Sequence, residues 1–470
     1  MILHIAKKEF TEALRDSRFR FSAILLLAML LCALLASWHY YAQVSTEHLE
    51  AARTARSQWE GQAAKNPHSA AHFGTFAFKP VPVLSLIDNG LDKYMGVSVF
   101  LEGHKQNLAQ YQQIADQNDL ARFAELSPAF ALIYLVPLLI VLMAFGVFST
   151  EREQGTLQLA LSQGVSPIQL GLGKIAGIWG LLLSLLVPVL GLGLFFLLQS
   201  DHQPDDLARY GLMVLVLLLY YGVFIHVSVA VSAWAKQSNV ALISLLGFWA
   251  VSALLIPRLT ANFSKQLYPV PSALAYQSQI KEALEKGVDG HNPFSERSKI
   301  FQDSLLEAHQ VDSVHKLPFN YAGLIMQTGE EHETVVYAKA MKKLHDIYLD
   351  QLRVHQASAF CSPTILVKLL SMQLAKTDLL AHYEFAQQAE KYRVALVRDL
   401  NYDLKDNSKY GDWDYVPKDK DFFKKNIKFE YRPTPLGQTM PAAAPSLLFL
   451  FGWFGLSLGT ALWSAKKITN

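Results

Sequence analysis

Residues Pro128–Phe148 read PAFALIYLVPLLIVLMAFGVF and contain no Asp, Glu, Lys or Arg. An α-helix needs about 20 such residues to cross roughly 30 Å of hydrocarbon, and a helix satisfies its own backbone polar groups inside lipid. Five further charge-free stretches have a similar length: Ser22–Val44, Ile175–Gln199, Tyr210–Ala233, Val240–Pro257 and Pro441–Ser464. The sequence therefore predicts an all-α polytopic membrane protein with six transmembrane helices and mainly helical extracytoplasmic insertions.

Charged residues are concentrated between these stretches. They make up only 17% of the 470 residues, whereas a soluble protein has about 25%. All 42 Lys and Arg and all 40 Asp and Glu lie outside the six stretches, at a density typical of a globular surface. The protein should therefore have substantial water-exposed parts.

Cys32 lies in the first stretch and Cys361 in a polar region, so we expect no disulfide.

Positive residues in the short connections predict the orientation, because Lys and Arg resist translocation. Lys and Arg occur in the N-terminal arm, in the connection after span two (Arg152 and Lys174), in the connection after span four (Lys236) and in the tail (Lys466 and Lys467). The connection between spans three and four instead holds Asp201, Asp205 and Asp206 against one Arg209. We predict that both termini are cytoplasmic. We expect the protein to lie in a bacterial cytoplasmic (inner) membrane.

The predicted organisation follows from this topology. An amphipathic arm at residues 1–21 precedes span one at 22–44, an extracytoplasmic segment at 45–127, span two at 128–148 and a cytoplasmic loop at 149–174. Spans three, four and five follow at 175–199, 210–233 and 240–257, then a large extracytoplasmic domain at 258–440, span six at 441–464 and a tail at 465–470.

The large segment has two helical patterns. Apolar residues recur at helical spacing over Val336–Leu352 and over Leu379–Leu400, and Asp378 is placed to cap the second helix. From Asn401 to Pro435 the composition predicts a loop. Positive and negative charges nearly balance over the whole segment 258–440, which argues against nucleic acid as a partner.

Motifs for catalysis or cofactor binding are missing from the sequence. Gly173-Lys174 is followed by Ile175, and Ile168 stands where a phosphate-binding loop needs its first glycine. His332-Glu333 begins like a zinc-protease helix, but Val336 stands where the second histidine would be. We interpret the acidic residues around His332 as a solvated helix start. The sequence thus predicts no catalytic, cofactor-binding or metal-ligating residue.

The connection after span two has the most distinctive sequence, EREQGTLQLALSQGVSP at residues 151–167. Leu157, Leu161 and Val165 lie at helical spacing between glycines, so we predict a short helix along the membrane. Periodicity alone does not distinguish a functional helix from an interfacial connector.

This loop, with Gly173-Lys174 opening span three, resembles the E-x-E-x-G-T-L-x-x-L-L-S-x-P-V-S…G-K signature of permease subunits of type-2 ABC exporters, except that Gly164 replaces the usual proline. The Ala6-Lys7-Lys8-Glu9-Phe10 segment is similar to their N-terminus. Cys361-Ser362-Pro363 and Lys376-Thr377-Asp378 are similar to a branch that carries a large extracytoplasmic domain of unknown function.

The resemblance implies that the helix near Gly155–Ser162 docks into a separate ATP-binding subunit. The residues implied in coupling are Glu151, Glu153, Gly155, Thr156, Leu157, Leu161, Val165 and Ser166. ATP and Mg would bind to that partner and not to this chain. The expected assembly contains two ATP-binding subunits and a second permease, identical or homologous, in the lipid bilayer, with room for an extracytoplasmic partner protein.

Three functions fit this sequence. The first is ATP-driven export or extraction of a substrate. The second is an ABC-type service complex for maturation of an extracytoplasmic metalloenzyme, and the third is a non-transporting membrane anchor or sensor.

Overall fold

The computed structural model describes residues 1–112, 127–292, 294–417, 421–425 and 428–469. Among these residues, six helices are long and apolar enough to cross a membrane: α2 (Ser17–Glu60), α4 (Pro128–Glu153), α6 (Pro167–Gln199), α7 (Asp206–Trp234), α8 (Ser238–Leu267) and α15 (Leu436–Lys466). Each charge-free stretch of the sequence lies inside one of them. The prediction of an all-α polytopic membrane protein is confirmed.

Of the remaining helices, α12 packs among the spans and the others lie at the two ends of this bundle. They are α1 (Ile2–Arg15), α3 (Pro67–Phe73), α5 (Thr156–Ser162), α9 (Ala273–Leu284), α10 (Glu296–His309), α11 (Tyr321–Ser358), α12 (Pro363–Ala375), α13 (Leu379–Asn407) and α14 (Phe422–Lys425). We call the end that carries α1 and α5 the α5 face, and the end that carries α3, α11 and α13 the domain face.

Two spans contain a π-helical turn beside a proline. In α4 the turn covers Ala131–Leu135 and precedes Pro137; in α8 it covers Val251–Leu255 and precedes Pro257. Proline has no N–H to donate to the carbonyl four residues earlier. At Ile133 the Tyr220 hydroxyl donates to that carbonyl instead, at 2.9 Å.

Helix α12 packs among the membrane spans. Leu366, Val367 and Leu370 are buried against α7 and α15. Near its start the Thr364 hydroxyl lies 3.0 Å from that of Tyr220, in the middle of α7. The sequence predicts that residues 258–440 lie together outside the membrane, whereas α12, which belongs to this range, packs among the spans. At thirteen residues, including Lys368, it is too short to be recognised as a span.

A small antiparallel sheet lies on the domain face: β1 (Thr75–Phe78), β2 (Ser98–Glu102) and β3 (Lys105–Gln106), in that order. Phe76 pairs with Phe100. These aromatic and β-branched residues favour strands. Among the described residues, these three strands are the β-structure of a mainly helical domain face.

Helix α13 begins where the sequence indicated, because Asp378 Oδ1 accepts a hydrogen bond from the Ala381 N–H at 3.1 Å. It ends later than expected. Asn401 and Leu404 are buried in α13, so the loop predicted from Asn401 begins only after Asn407. Tertiary packing overrides the weak helix propensity of the Asn and Asp residues here.

Candidate functional site

Helix α5 lies between two glycines in the left-handed backbone region. Gly155 has φ +73° and Gly164 has φ +83°, and a Cβ added at either would meet nothing within 4 Å. Glycine is therefore needed at both positions because of the positive φ, and not because space for a side chain is lacking. Proline, fixed near φ −65°, cannot adopt the conformation of Gly164, so the departure from the family signature coincides with a different turn.

The predicted apolar stripe of α5 faces the bundle. Leu157 is buried, and Leu161 and Val165 are half-buried against the same core. The opposite side, with Gln158, Leu159, Ser162 and Gln163, is exposed. Leu159, which is not among the residues implied in coupling, is 60% exposed.

The other predicted coupling residues lie around the ends of the helix. Thr156 is exposed and its hydroxyl donates to the Glu151 carbonyl at 3.3 Å. The Ser166 hydroxyl accepts from the Gln169 N–H at 3.2 Å and caps α6. These two residues therefore fix the chain where it enters and leaves the α5 region.

The segment before α5 is bonded to α7 and α8. Arg152 donates from its guanidinium to the carbonyls of Ala233 and Ala235, at the end of α7. Glu153 accepts from the N–H and the hydroxyl of Ser238, both at 2.9 Å, at the start of α8. A cation at a helix C-terminus and an anion at an N-terminus are each favourable. This segment therefore ties spans four and five to the α5 region.

A buried ion cluster joins three elements at the α5 face. Lys174 Nζ lies 2.7 Å from Glu9 Oε1 and 3.0 Å from Glu151 Oε2, and Lys8 Nζ lies 2.7 Å from Glu151 Oε1. The Lys174 side chain is fully buried. Because a buried charge needs close partners, α1, the end of α4 and the start of α6 are held together.

Glycines allow α1 to lie against α6. A Cβ at Gly173 would lie 2.6 Å from Ile5 Cβ, and one at Gly177 would lie 2.6 Å from Glu9 Cβ. Such distances leave no space for a side chain. The Gly173-Lys174 pair thus has two structural tasks, since the glycine admits α1 and the lysine pairs with it.

A cavity of about 710 Å³ opens beside α2 on the domain face. Its lining includes Tyr41, His48, Trp59 and Tyr431, with the ion pair of Lys376 and Asp206 at one side, where Nζ and Oδ1 are 2.7 Å apart. This mixed apolar and polar lining could accept a ligand.

Four histidines converge elsewhere on the domain face: His68 and His72 of α3, His104 after β2, and His291 before α10. Their ligand nitrogens all lie within 4.8 Å of one another. Burial lowers the pKa of His68 to about 3. None of them was predicted from the sequence, although His68 and His72 share one helix face at i, i+4 spacing.

Comparison with known families gives two adjoining matches. Residues 86–276 match the model of the ABC-2 family transporter protein, and residues 273–432 match a domain of unknown function, DUF3526. A search of curated proteins found no match. The first match contains α4 to α8 with the α5 region, and the second contains α11 to α13. Together with the six candidate spans, the two matches are consistent with a membrane permease of the ABC-2 transporter type that carries an extra domain.

Proposed function

We propose that the chain is the permease of an ATP-driven exporter and that the exposed side of α5 docks onto a separate ATP-binding subunit in the cytoplasm. The observation that carries this proposal is the contrast between the two sides of α5. Its inner side is fixed to the bundle, whereas Leu159 on its outer side is an exposed apolar residue. A short helix held in this way can receive a push and pass it to several spans at once.

The route of that push follows from the bonds around α5. Arg152 connects to the end of α7, Glu153 to the start of α8, and Glu151 to α1 and α6 through Lys8 and Lys174. ATP and Mg act on the partner, and binding energy there would change the relative positions of these helices. No acid–base group of this chain needs to take part.

A second permease completes the assembly along α8. Ile243, Leu254, Leu259 and Phe263 are each more than half exposed, and exposed apolar residues continue at Leu267 and Leu274. Phe263, Leu267 and Leu274 lie beyond the charge-free stretch, which ends at Pro257, so we expect them at or outside the edge of the lipid. Because contiguous apolar patches in water mark protein interfaces, we place the second copy here.

Photocrosslinking tests the docking surface. A benzoylphenylalanine placed at Leu159 in the full chain should crosslink, in native membranes, to a protein that carries an ATP-binding cassette, as identified by mass spectrometry. Ile300 on α10 is similarly exposed, at 62%, but lies on the domain face, so the same probe there should not capture that protein.

The L159D variant adds a functional measurement. It should lower the ATPase activity of the co-purified complex about tenfold or release the ATP-binding subunit, because a buried unpaired carboxylate at an interface is costly. I300D should leave both unchanged. Capture of the ATP-binding subunit from position 300 and not from 159 would contradict the docking site, and a chain that captures no such subunit would favour an anchor or sensor.

A service complex for an extracytoplasmic metalloenzyme is the second candidate function. The four-histidine cluster on the domain face favours it, because imidazole nitrogens are ligands for transition metals. It uses the same ATP-driven permease and differs only in the process that it serves.

A further inference from the structure

The four-histidine cluster has two buried or half-buried rings and two exposed ones. His68 Nε2 lies 3.1 Å from His72 Nε2, and His104 Nε2 lies 2.8 Å from His291 Nε2. Four nitrogens around one tetrahedral zinc ion, at bonds of about 2.05 Å, would be roughly 3.3 Å apart. The rings therefore need only small movements to surround a single ion.

A hydrogen-bond chain fixes the tautomer of His68. Glu331 Oε1 accepts from Gln327 Nε2 at 3.1 Å, Gln327 Oε1 accepts from Asn401 Nδ2 at 3.2 Å, and Asn401 Oδ1 lies 3.2 Å from His68 Nδ1. Since a carboxylate only accepts, it sets the direction of every later bond. His68 must donate from Nδ1, which leaves a lone pair on Nε2, the atom that faces the other histidines.

His104 is fixed in the same sense by carboxylates. Its Nδ1 lies 3.0 Å from Glu333 Oε2, and its backbone N–H donates to Glu330. Glu330 is in turn held by Arg393 at 3.1 Å. Histidine ligands of metals commonly donate their second ring N–H to a carboxylate or carbonyl in this way. His104 also has φ +67°, a backbone conformation that costs free energy and is more frequent at functional sites.

The segment that carries His291 is shaped to reach the cluster. Asp289 Oδ1 accepts from the N–H groups of His291 and Asn292 at 2.8 and 3.1 Å. A Cβ at Gly329 of α11 would lie 2.9 Å from the Gly290 backbone nitrogen. Only this close approach of two glycines lets the segment lie against α11 and place His291 beside His104.

We propose that His68, His72, His104 and His291 bind one divalent transition-metal ion, zinc or copper, at the domain face. Four nitrogen ligands suit these two ions, which stand high in the order of affinity for such sites. A site whose four positions are all filled by protein is structural in character and does not activate water. The ion would tie α3 and the β2–β3 turn to the segment before α10, which follows four spans later in the sequence. This inference does not depend on the coupling of α5.

Metal titration of the full chain tests the site. The protein is purified in detergent through an affinity tag without histidine, stripped with a chelator, and titrated separately with ZnCl₂ and CuCl₂ by calorimetry, without ATP. One ion per chain should bind with a dissociation constant below about 1 μM, and it should raise the melting midpoint by several degrees, because it binds only the folded state.

Two variants and one control make the outcome specific. H72A/H291A removes the two exposed rings, which the fold needs least, and should weaken binding at least 100-fold. E333Q should weaken it about tenfold through the orientation of His104. H202A, an exposed histidine on another loop, should bind as the unaltered chain does. The proposal is overturned if neither ion binds stoichiometrically, or if H72A/H291A binds as tightly as the control while melting at the same temperature.

Discussion

Lys174 carries a positive charge inside the protein, between Glu9 and Glu151. K174M should destabilise the chain by about 3–5 kcal/mol, because removal of one member of a buried ion cluster leaves the others uncompensated. Thermal unfolding in detergent measures this effect. K236M, at an exposed lysine on the same face, should change stability by less than about 0.5 kcal/mol. Equal melting midpoints for the two variants would mean that the cluster does not form.

The sequence could predict single residues only where local geometry decides. Asp378 was recognised as a cap, because the capping bond reaches three residues along the chain. The partners of Lys174 and Glu151 could not be predicted, since Glu9 is 165 residues from Lys174 in sequence. The four histidines come from three separate segments, and the i, i+4 pair in α3 was their one local signal.

The contact of α1 with α6 gives a prediction for an element. G177V should detach α1, because a Cβ there already lies 2.6 Å from Glu9 Cβ. With Cys32 and Cys361 removed, a cysteine introduced at Phe10, which lies near Gly180, should then react with a maleimide at least tenfold faster in detergent. G191V on the same helix, where a Cβ meets nothing within 4 Å, should leave the rate unchanged. An equal rate in the two variants would contradict this packing.

Elements were predictable in proportion to their length and uniformity. The six long helices could be predicted from the length of the charge-free stretches alone. Burying a charge in lipid is costly, so charged residues are absent from the spans. Helix α12 has no long charge-free stretch, because protein surrounds much of it and its exposed Lys368 interrupts the apolar run. The π-helical turn of α4 receives hydroxyl hydrogen bonds from Tyr220 and Tyr221 of α7. The turn of α8 receives one from Ser362 at the Ser252 carbonyl. These donors are neighbours in space and not in sequence.

Orientation is a property of the whole molecule, and it yields a labelling prediction. In a chain without its natural cysteines, D312C on the domain face should react with an impermeant maleimide in intact spheroplasts. Q158C on α5 should react only after permeabilisation. The basic connections of the α5 face give this direction. The reverse pattern would place α5 outside and exclude a cytoplasmic ATP-binding partner.

Helix α2 runs without a break for 44 residues, about 66 Å at 1.5 Å per residue. It begins beside α1, and at its far end Trp59 is buried and its indole N–H donates to the Phe423 carbonyl at 3.1 Å. Such a rod acts as a lever. A tilt of about 5° at one end displaces the other by roughly 6 Å. Since coupling between two sites is reciprocal, traction on the domain face would exert a torque on the spans, just as ATP on the proposed partner would from the α5 face.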